Sequence, residues 1–183
     1  MPITLFLGGT RSGKSALAET ALAQCHAEHV FYIATAQGLD AAMRQRILRH
    51  QRQRPAHWHT LECPRNLAPV VEQALEALPA QHTAALLIDC VTLWMSNILC
   101  ALPQPESLLF EQQAQQELCA LLELAARPRT QWFFVSGETG LGGIGSSPLE
   151  RTFQDGLGLA NQLLAAHSQA SYLCLAGKKL LLK

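Results

Sequence analysis

Short apolar runs alternate along this chain with longer stretches in which apolar residues return every third or fourth position. The runs at 3–7 (ITLFL), 29–34 (HVFYIA), 84–89 (AALLID) and 131–136 (QWFFVS) have strand length and strand-type composition. Their apolar character is continuous rather than alternating, as in strands covered on both faces. Residues 58–62 (WHTLE) predict a further short strand, and 172–175 with 180–182 predict two closing strands around Gly177-Lys178-Lys179. Between them the spacing predicts helices at 16–23, 41–53, 67–78, 92–99, 108–126 and 149–167. In 67–78, Leu67, Val70, Val71, Ala74, Leu75 and Leu78 fall on one helical face. Asp40 can cap the helix at 41–53, and Pro55 ends it by forcing its predecessor out of helical geometry. Pro103 and Pro105 mark a loop, and 137–148 is a glycine-rich loop containing Glu138. Gly156 and Gly158 weaken the middle of the last helix. Strands alternating with helices predict a three-layer α/β fold with a mostly parallel sheet. With no repeat or linker, the whole of 1–183 reads as one domain.

The join between the first strand and first helix carries the clearest chemistry. Gly8-Gly9-Thr10-Arg11-Ser12-Gly13-Lys14-Ser15 fits G-x-x-x-x-G-K-S/T, the phosphate-binding loop, in the strand–loop–helix context that confirms it. Gly8, Gly9 and Gly13 can adopt angles that turn successive N–H groups inward, forming an anion site with the helix start. Lys14 then reaches the terminal phosphates and the Ser15 hydroxyl holds Mg2+. A nucleoside triphosphate is the expected ligand.

Composition narrows the picture. With 49% hydrophobic and 15% charged residues over 183 positions, the chain can bury a sizeable core. A formal net charge of zero supplies no global field toward nucleic acid or a membrane surface. The six cysteines (Cys25, Cys63, Cys90, Cys100, Cys119, Cys174) form no C-x-x-C pair and read as free thiols in a reducing cytoplasm. No apolar run reaches membrane-spanning length, and the N-terminus has no basic region followed by a long apolar stretch. The expectation is a soluble, unprocessed protein with no membrane span.

Asp89 ends an apolar strand, where ligands bind in open α/β sheets; it reads as a Mg2+ carboxylate or as a cap for the next helix. The helix at 41–53 carries Arg44, Arg46, Arg49 and Arg52, with Arg54 just beyond and His50 among them. Three accounts stand open for it: a solvated face, contact with nucleic-acid phosphates, or phosphate handling around a catalytic His50. On the last, Arg46, His50 and Arg54 are four apart and share one face, and the guanidiniums keep the imidazole neutral and nucleophilic. His57 and His59 read as two residues on one strand face. Glu62 reads as a ribose or base contact or as a surface residue, and Glu138 as a base or substrate contact. Lys178-Lys179 reads as a solvated turn.

These residues, taken together and in order, resemble a known family. GGTRSGKS, YIATAQ, RILRHQRQRPAHWHTLE, LLIDCVTLWMSN and LERTFQDGLGLANQLLA are similar in order and spacing to the bifunctional adenosylcobinamide kinase / adenosylcobinamide-phosphate guanylyltransferases of cobalamin biosynthesis. The resemblance implies a RecA-like P-loop NTPase core, a homotrimer, and two successive reactions. The first phosphorylates the aminopropanol hydroxyl of adenosylcobinamide with ATP or GTP. The second transfers GMP from GTP to that phosphate through a guanylyl-histidine, which would be on His50. By the same resemblance, Gly8, Gly9, Thr10, Arg11, Ser12, Gly13, Lys14, Ser15, Thr35, Ala36, Gln37, Arg52, Gln53, Arg54, Pro55, Glu62 and Asp89 line the nucleotide site. No nucleic-acid partner is expected on this reading, and the segment bearing His50 has to move. The loop at 136–145 departs from the S-N-E-V-G-x-G-I-V-P of relatives, with Gly137 in place of the asparagine. That bears on the corrinoid contacts rather than on the nucleotide. A small-molecule kinase without a covalent step and a nucleotide-dependent nucleic-acid-binding module are the competing functions.

Overall fold

The structure, a computed structural model, describes residues 2–104 and 106–183. Pro105 and the side chain of Gln53 lie outside the described residues. Seven strands form one sheet: β1 (Ile3–Gly8), β2 (His29–Ala34), β3 (His59–Glu62), β4 (Ala84–Asp89), β5 (Thr130–Gly137), β6 (Ala170–Leu175) and β7 (Lys178–Leu181). Their order is β3-β2-β4-β5-β1-β6-β7, and every pairing is parallel except β6 with β7. Among the described residues six α-helices connect them: α1 (Lys14–Gln24), α2 (Ala41–Gln53), α3 (Leu67–Glu76), α4 (Val91–Ala101), α5 (Ser107–Ala125) and α6 (Pro148–His167).

The two sheet faces are covered unequally. On one, α3, α4, α5 and α6 pack Leu67, Trp94, Phe110 and Leu164 against Ile3, Leu5, Ile33, Trp132 and Phe134. On the other, α1 packs Ala18 and Leu22 against Phe6, Val30, Tyr32, Leu87 and Phe133, with Trp58 closing the edge. The expected three layers are present, but no described side chain of α2 is buried and none joins either core.

Three expectations need correction. The first helix begins at Lys14 rather than at 16, so the loop's lysine and serine sit in its opening turn. The closing hairpin turns at Ala176 (φ 49°) and Gly177 (φ 75°), whose two positive φ values match the twist of the flanking strands. Lys178 and Lys179 therefore belong to β7 rather than to the turn, and Lys179 Nζ lies 4.6 Å above the Tyr172 ring. Gly156 is a contact point rather than a weakness: the Phe110 ring of α5 packs where a Cβ would stand, 2.2 Å away.

Register decides where chemistry can happen. Ala34 pairs with both Glu62 and Asp89, and Gly8 pairs with Gly137. The carboxyl ends of β1 to β5 thus form one edge, on which a ligand binds in sheets of this kind.

Candidate active site

The phosphate loop is built on that edge. Gly13, at φ 91°, is the N-cap of α1, in a left-handed conformation that costs glycine little. Arg11 also has positive φ (57°), whereas Gly8 and Gly9 do not. The turn is made by Arg11 and Gly13 rather than by three glycines. Gly177 N–H, from the closing hairpin, donates to the Ser12 carbonyl at 2.8 Å and braces the loop from outside. Lys14 Nζ donates to the Gly9 carbonyl at 3.1 Å.

Asp89 forms the floor. Ser15 Oγ donates to its Oδ1 at 3.3 Å, and the Tyr32 hydroxyl donates to its Oδ2. Burial, followed by the Asp89 charge, pushes the Tyr32 hydroxyl far above its ordinary range, so tyrosine is the donor in that pair. Asp89 does not cap α4, whose N-cap is Cys90. Thr35 is buried behind the floor: its hydroxyl donates to the Cys90 carbonyl and accepts from the Cys90 N–H, both at 2.8 Å. Asn97 Nδ2 holds the Thr35 carbonyl at 2.8 Å. Thr35 thus fastens the β2 loop to the β4 loop and does not face the cavity. The Ser15 and Asp89 oxygens are hard donors close to each other on the cavity wall, a set that fits Mg2+.

The roof is α2, started by the Asp40 carboxylate, which accepts Met43 N–H at 2.7 Å. Met43, Ile47, His50 and Gln51 are half-buried on one stripe and face a cavity of about 610 Å³. A ring nitrogen of His50 and one carboxylate oxygen each of Glu19 and Asp89 lie within 4.8 Å of one another. The guanidinium-only surroundings expected for His50 are therefore incomplete, because two carboxylates face it as well. Arg46 also lines the cavity, four residues before His50 on the same face. Arg49 and Arg52 lie on other faces, exposed and outside the cavity lining. Arg54 does not extend the helical face, since it has left the helix with φ −73° and ψ 139°. Its guanidinium stacks 3.6 Å over the Tyr32 ring and still reaches the cavity.

Of the remaining expected residues, Gly8, Gly9, Thr10, Ala36 and Glu62 line the cavity; Arg11, Ser12, Gly13 and Gln37 do not. Glu62 accepts Gln51 Nε2 at 2.8 Å, and Pro55 borders a smaller adjoining hollow with Trp58 and Thr60. His57 stands in a turn and only His59 is in β3, 5.3 Å from the Phe31 ring, so they are not a pair on one strand face. Glu138, just beyond β5, donates its N–H to the Gly8 carbonyl at 3.3 Å, and its Oε1 accepts Gly140 N–H at 2.8 Å.

Sequence reading missed Glu19, Tyr32, Gln51 and Thr92, which accepts Gly137 N–H at 2.6 Å. Glu19 had a signal, since it lies four positions after Ser15 and hence on the same helical face. Burial and then the Asp89 charge raise its carboxyl above the usual range, against a smaller lowering by Arg54.

Comparison with known proteins shows the family. Residues 4–182 match the family model described as cobinamide kinase / cobinamide phosphate guanyltransferase. A bifunctional adenosylcobalamin biosynthesis protein of Pseudomonas aeruginosa is 40% identical over 98% of this chain and 96% of its own. Proteins of the same description from Salmonella typhimurium and Escherichia coli are 35% and 32% identical, each over 94% of this chain and 95% of its own. Among solved structures, an ATPase domain superposes with a TM-score of 0.54 at 11% identity, over 94% of this chain and 68% of its own. That likeness supports the RecA-like phosphate-loop core.

Proposed function

Because the chain belongs to the cobinamide kinase / cobinamide phosphate guanyltransferase family, we propose that one cavity serves both reactions and that His50 carries the guanylyl group between them. The protein is a kinase and a guanylyltransferase of cobalamin biosynthesis. In the first reaction the triphosphate of ATP or GTP rests on the N–H groups of the loop and of the α1 N-terminus, where the helix dipole favours anions. Lys14 exchanges the Gly9 carbonyl for phosphate oxygens. The aminopropanol hydroxyl of adenosylcobinamide attacks the terminal phosphorus, and Glu138 on the cavity wall takes its proton. Ser15 and Asp89 would hold Mg2+, which when bound neutralises charge on the phosphates.

In the second reaction a ring nitrogen of His50 attacks the α-phosphorus of GTP. The N–P bond forms as the P–O bond to pyrophosphate breaks, with Lys14 and the loop N–H groups holding the leaving oxygens. The corrinoid phosphate then attacks and frees the histidine. Ala36, Arg54 and Glu62, which face the cavity, contact the nucleotide directly, and Pro55 borders the adjoining hollow; Thr35 acts from behind the floor, and Gln37 and Arg52 lie outside the lining.

One observation carries this reading: the imidazole of α2 and the Lys14–Ser15–Asp89 group line one and the same cavity. GTP labelled at the α-phosphate tests it. Acid-labile, alkali-stable label on the wild-type chain, absent from His50→Asn, is the expected result; label of equal amount on both would overturn it. Family membership favours neither a kinase lacking the covalent step nor a nucleic-acid-binding module. We further place the enzyme in the cytoplasm, in keeping with its unpaired cysteines, and assign it a homotrimer that sedimentation would test.

A further inference from the structure

Accepting the histidine reading above, we infer that Glu19 is the residue that positions His50 for attack. Glu19 stands one turn beyond Ser15 on α1, and α1 is fixed to the sheet through Ala18 and Leu22, both fully buried. Its carboxylate oxygen lies within 4.8 Å of a His50 ring nitrogen. Asp89 lies within the same limit, yet both its oxygens are engaged, one by Ser15 and the other by Tyr32. Among the described residues no group donates a hydrogen bond to the Glu19 carboxylate, so it is the acceptor left free beside the imidazole.

The chemistry needs such an acceptor. When one ring nitrogen gives its lone pair to phosphorus, the bond to pyrophosphate breaks and its electrons leave with that group. The ring is left positively charged, with a proton on its second nitrogen. A carboxylate that accepts this N–H fixes the tautomer that presents the lone pair to phosphorus, and it stabilises the charge that develops. When the corrinoid phosphate attacks, the N–P electrons return to the first nitrogen and the second keeps its proton. Glu19 therefore exchanges no proton over the cycle. Its place on the rigid helix gives the mobile one a fixed point to dock against.

The test is Glu19→Gln in the full chain, followed by single-turnover labelling with α-phosphate-labelled GTP. Label on His50 is expected to form roughly 10- to 100-fold more slowly at saturating GTP, the usual range for such orienting carboxylates. The GTP concentration giving half-maximal labelling is expected to shift by less than about threefold, and Glu19→Asp to recover part of the lost rate. The kinase reaction should fall far less than the labelling. Labelling at the wild-type rate would overturn the inference. So would an equal fall in both reactions with a lowered melting temperature, which would mark Glu19 as merely structural. Should Glu19→Gln fail to fold, Glu19→Asp decides: slowed labelling with an unchanged half-maximal concentration supports positioning, and an unchanged rate overturns it. A wild-type chain that takes up no label is a different failure, since it refutes the role of His50 itself.

Discussion

The phosphate loop and the helix facing it are built on opposite principles. β1 buries Ile3, Leu5, Phe6 and Leu7, and α1 buries Ala18 and Leu22, so the loop between them is clamped at both ends. In α2 no described side chain is buried, and arginines fill its outer faces. What holds α2 lies at its ends: the Asp40 cap and the Arg44 bond to the Gly38 carbonyl at 3.0 Å on one side, Gln51 on Glu62 and Arg54 over Tyr32 on the other. A phosphate must be held within fractions of an ångström in both reactions, which calls for a cradle fixed by the core. A nucleophile that serves first GTP and then a corrinoid phosphate needs an element that can shift without unpacking anything.

The largest expected effect tests whether the cradle is shared. Lys14→Ala should slow phosphorylation of cobinamide and labelling of His50 by about 10²- to 10³-fold each, as for other lost charge-stabilising donors. Steady-state kinase assays beside single-turnover labelling check this, and loss of only one reaction would break the common-cradle picture. Packing comes next. Leu22→Ala, at a fully buried position, should destabilise the fold by about 2–5 kcal/mol. Ile47→Ala on half-buried α2 should change it by no more than about 1 kcal/mol. Denaturant melts of both variants measure the contrast, and equal losses would mean that α2 is part of the core.

The cavity floor offers a chemical probe. Burial, and after it the Asp89 charge, pushes the Cys90 thiol up to about 11. The neutral thiol therefore dominates below that value, and the reactive thiolate grows about tenfold per pH unit as pH rises toward it. At pH 8 alkylation should run roughly a hundredfold slower than for an ordinary thiol. Cys100, exposed on α4, serves as the accessible control in the same digest. Equal rates at the two sites would show a floor far more open than its packing indicates. The smallest effect concerns the roof. Asp40→Ala removes the α2 cap and should lower that helix's local stability by about 1 kcal/mol. Amide exchange is then expected to quicken in α2 and to stay unchanged in α1.

Much of this contrast was readable in the residues. The α2 bounds, 41–53, follow from Asp40, the arginine-rich run and Pro55, all of which act within a turn or two of the chain. The loop was legible for the same reason, because Gly13, Lys14 and Ser15 do their work through local backbone geometry. The surroundings of His50 were not. Reading the arginines at fours placed guanidiniums around it, but Arg54 had left the helix, and the nearby carboxylates come from α1 and β4.

By itself, then, the sequence determined what depends on neighbours a few positions apart: the alternation of strands and helices, the phosphate cradle, and a capped, polar helix bearing a histidine. Tertiary structure alone decided which groups meet across the sheet edge. Ser15 and Asp89 are 74 positions apart and Tyr32 and Asp89 are 57 apart, brought together by the order β3-β2-β4-β5-β1 and its parallel register. Periodicity reports which face of an element is apolar, but strand order is set by how whole layers pack, and no local spacing carries that information.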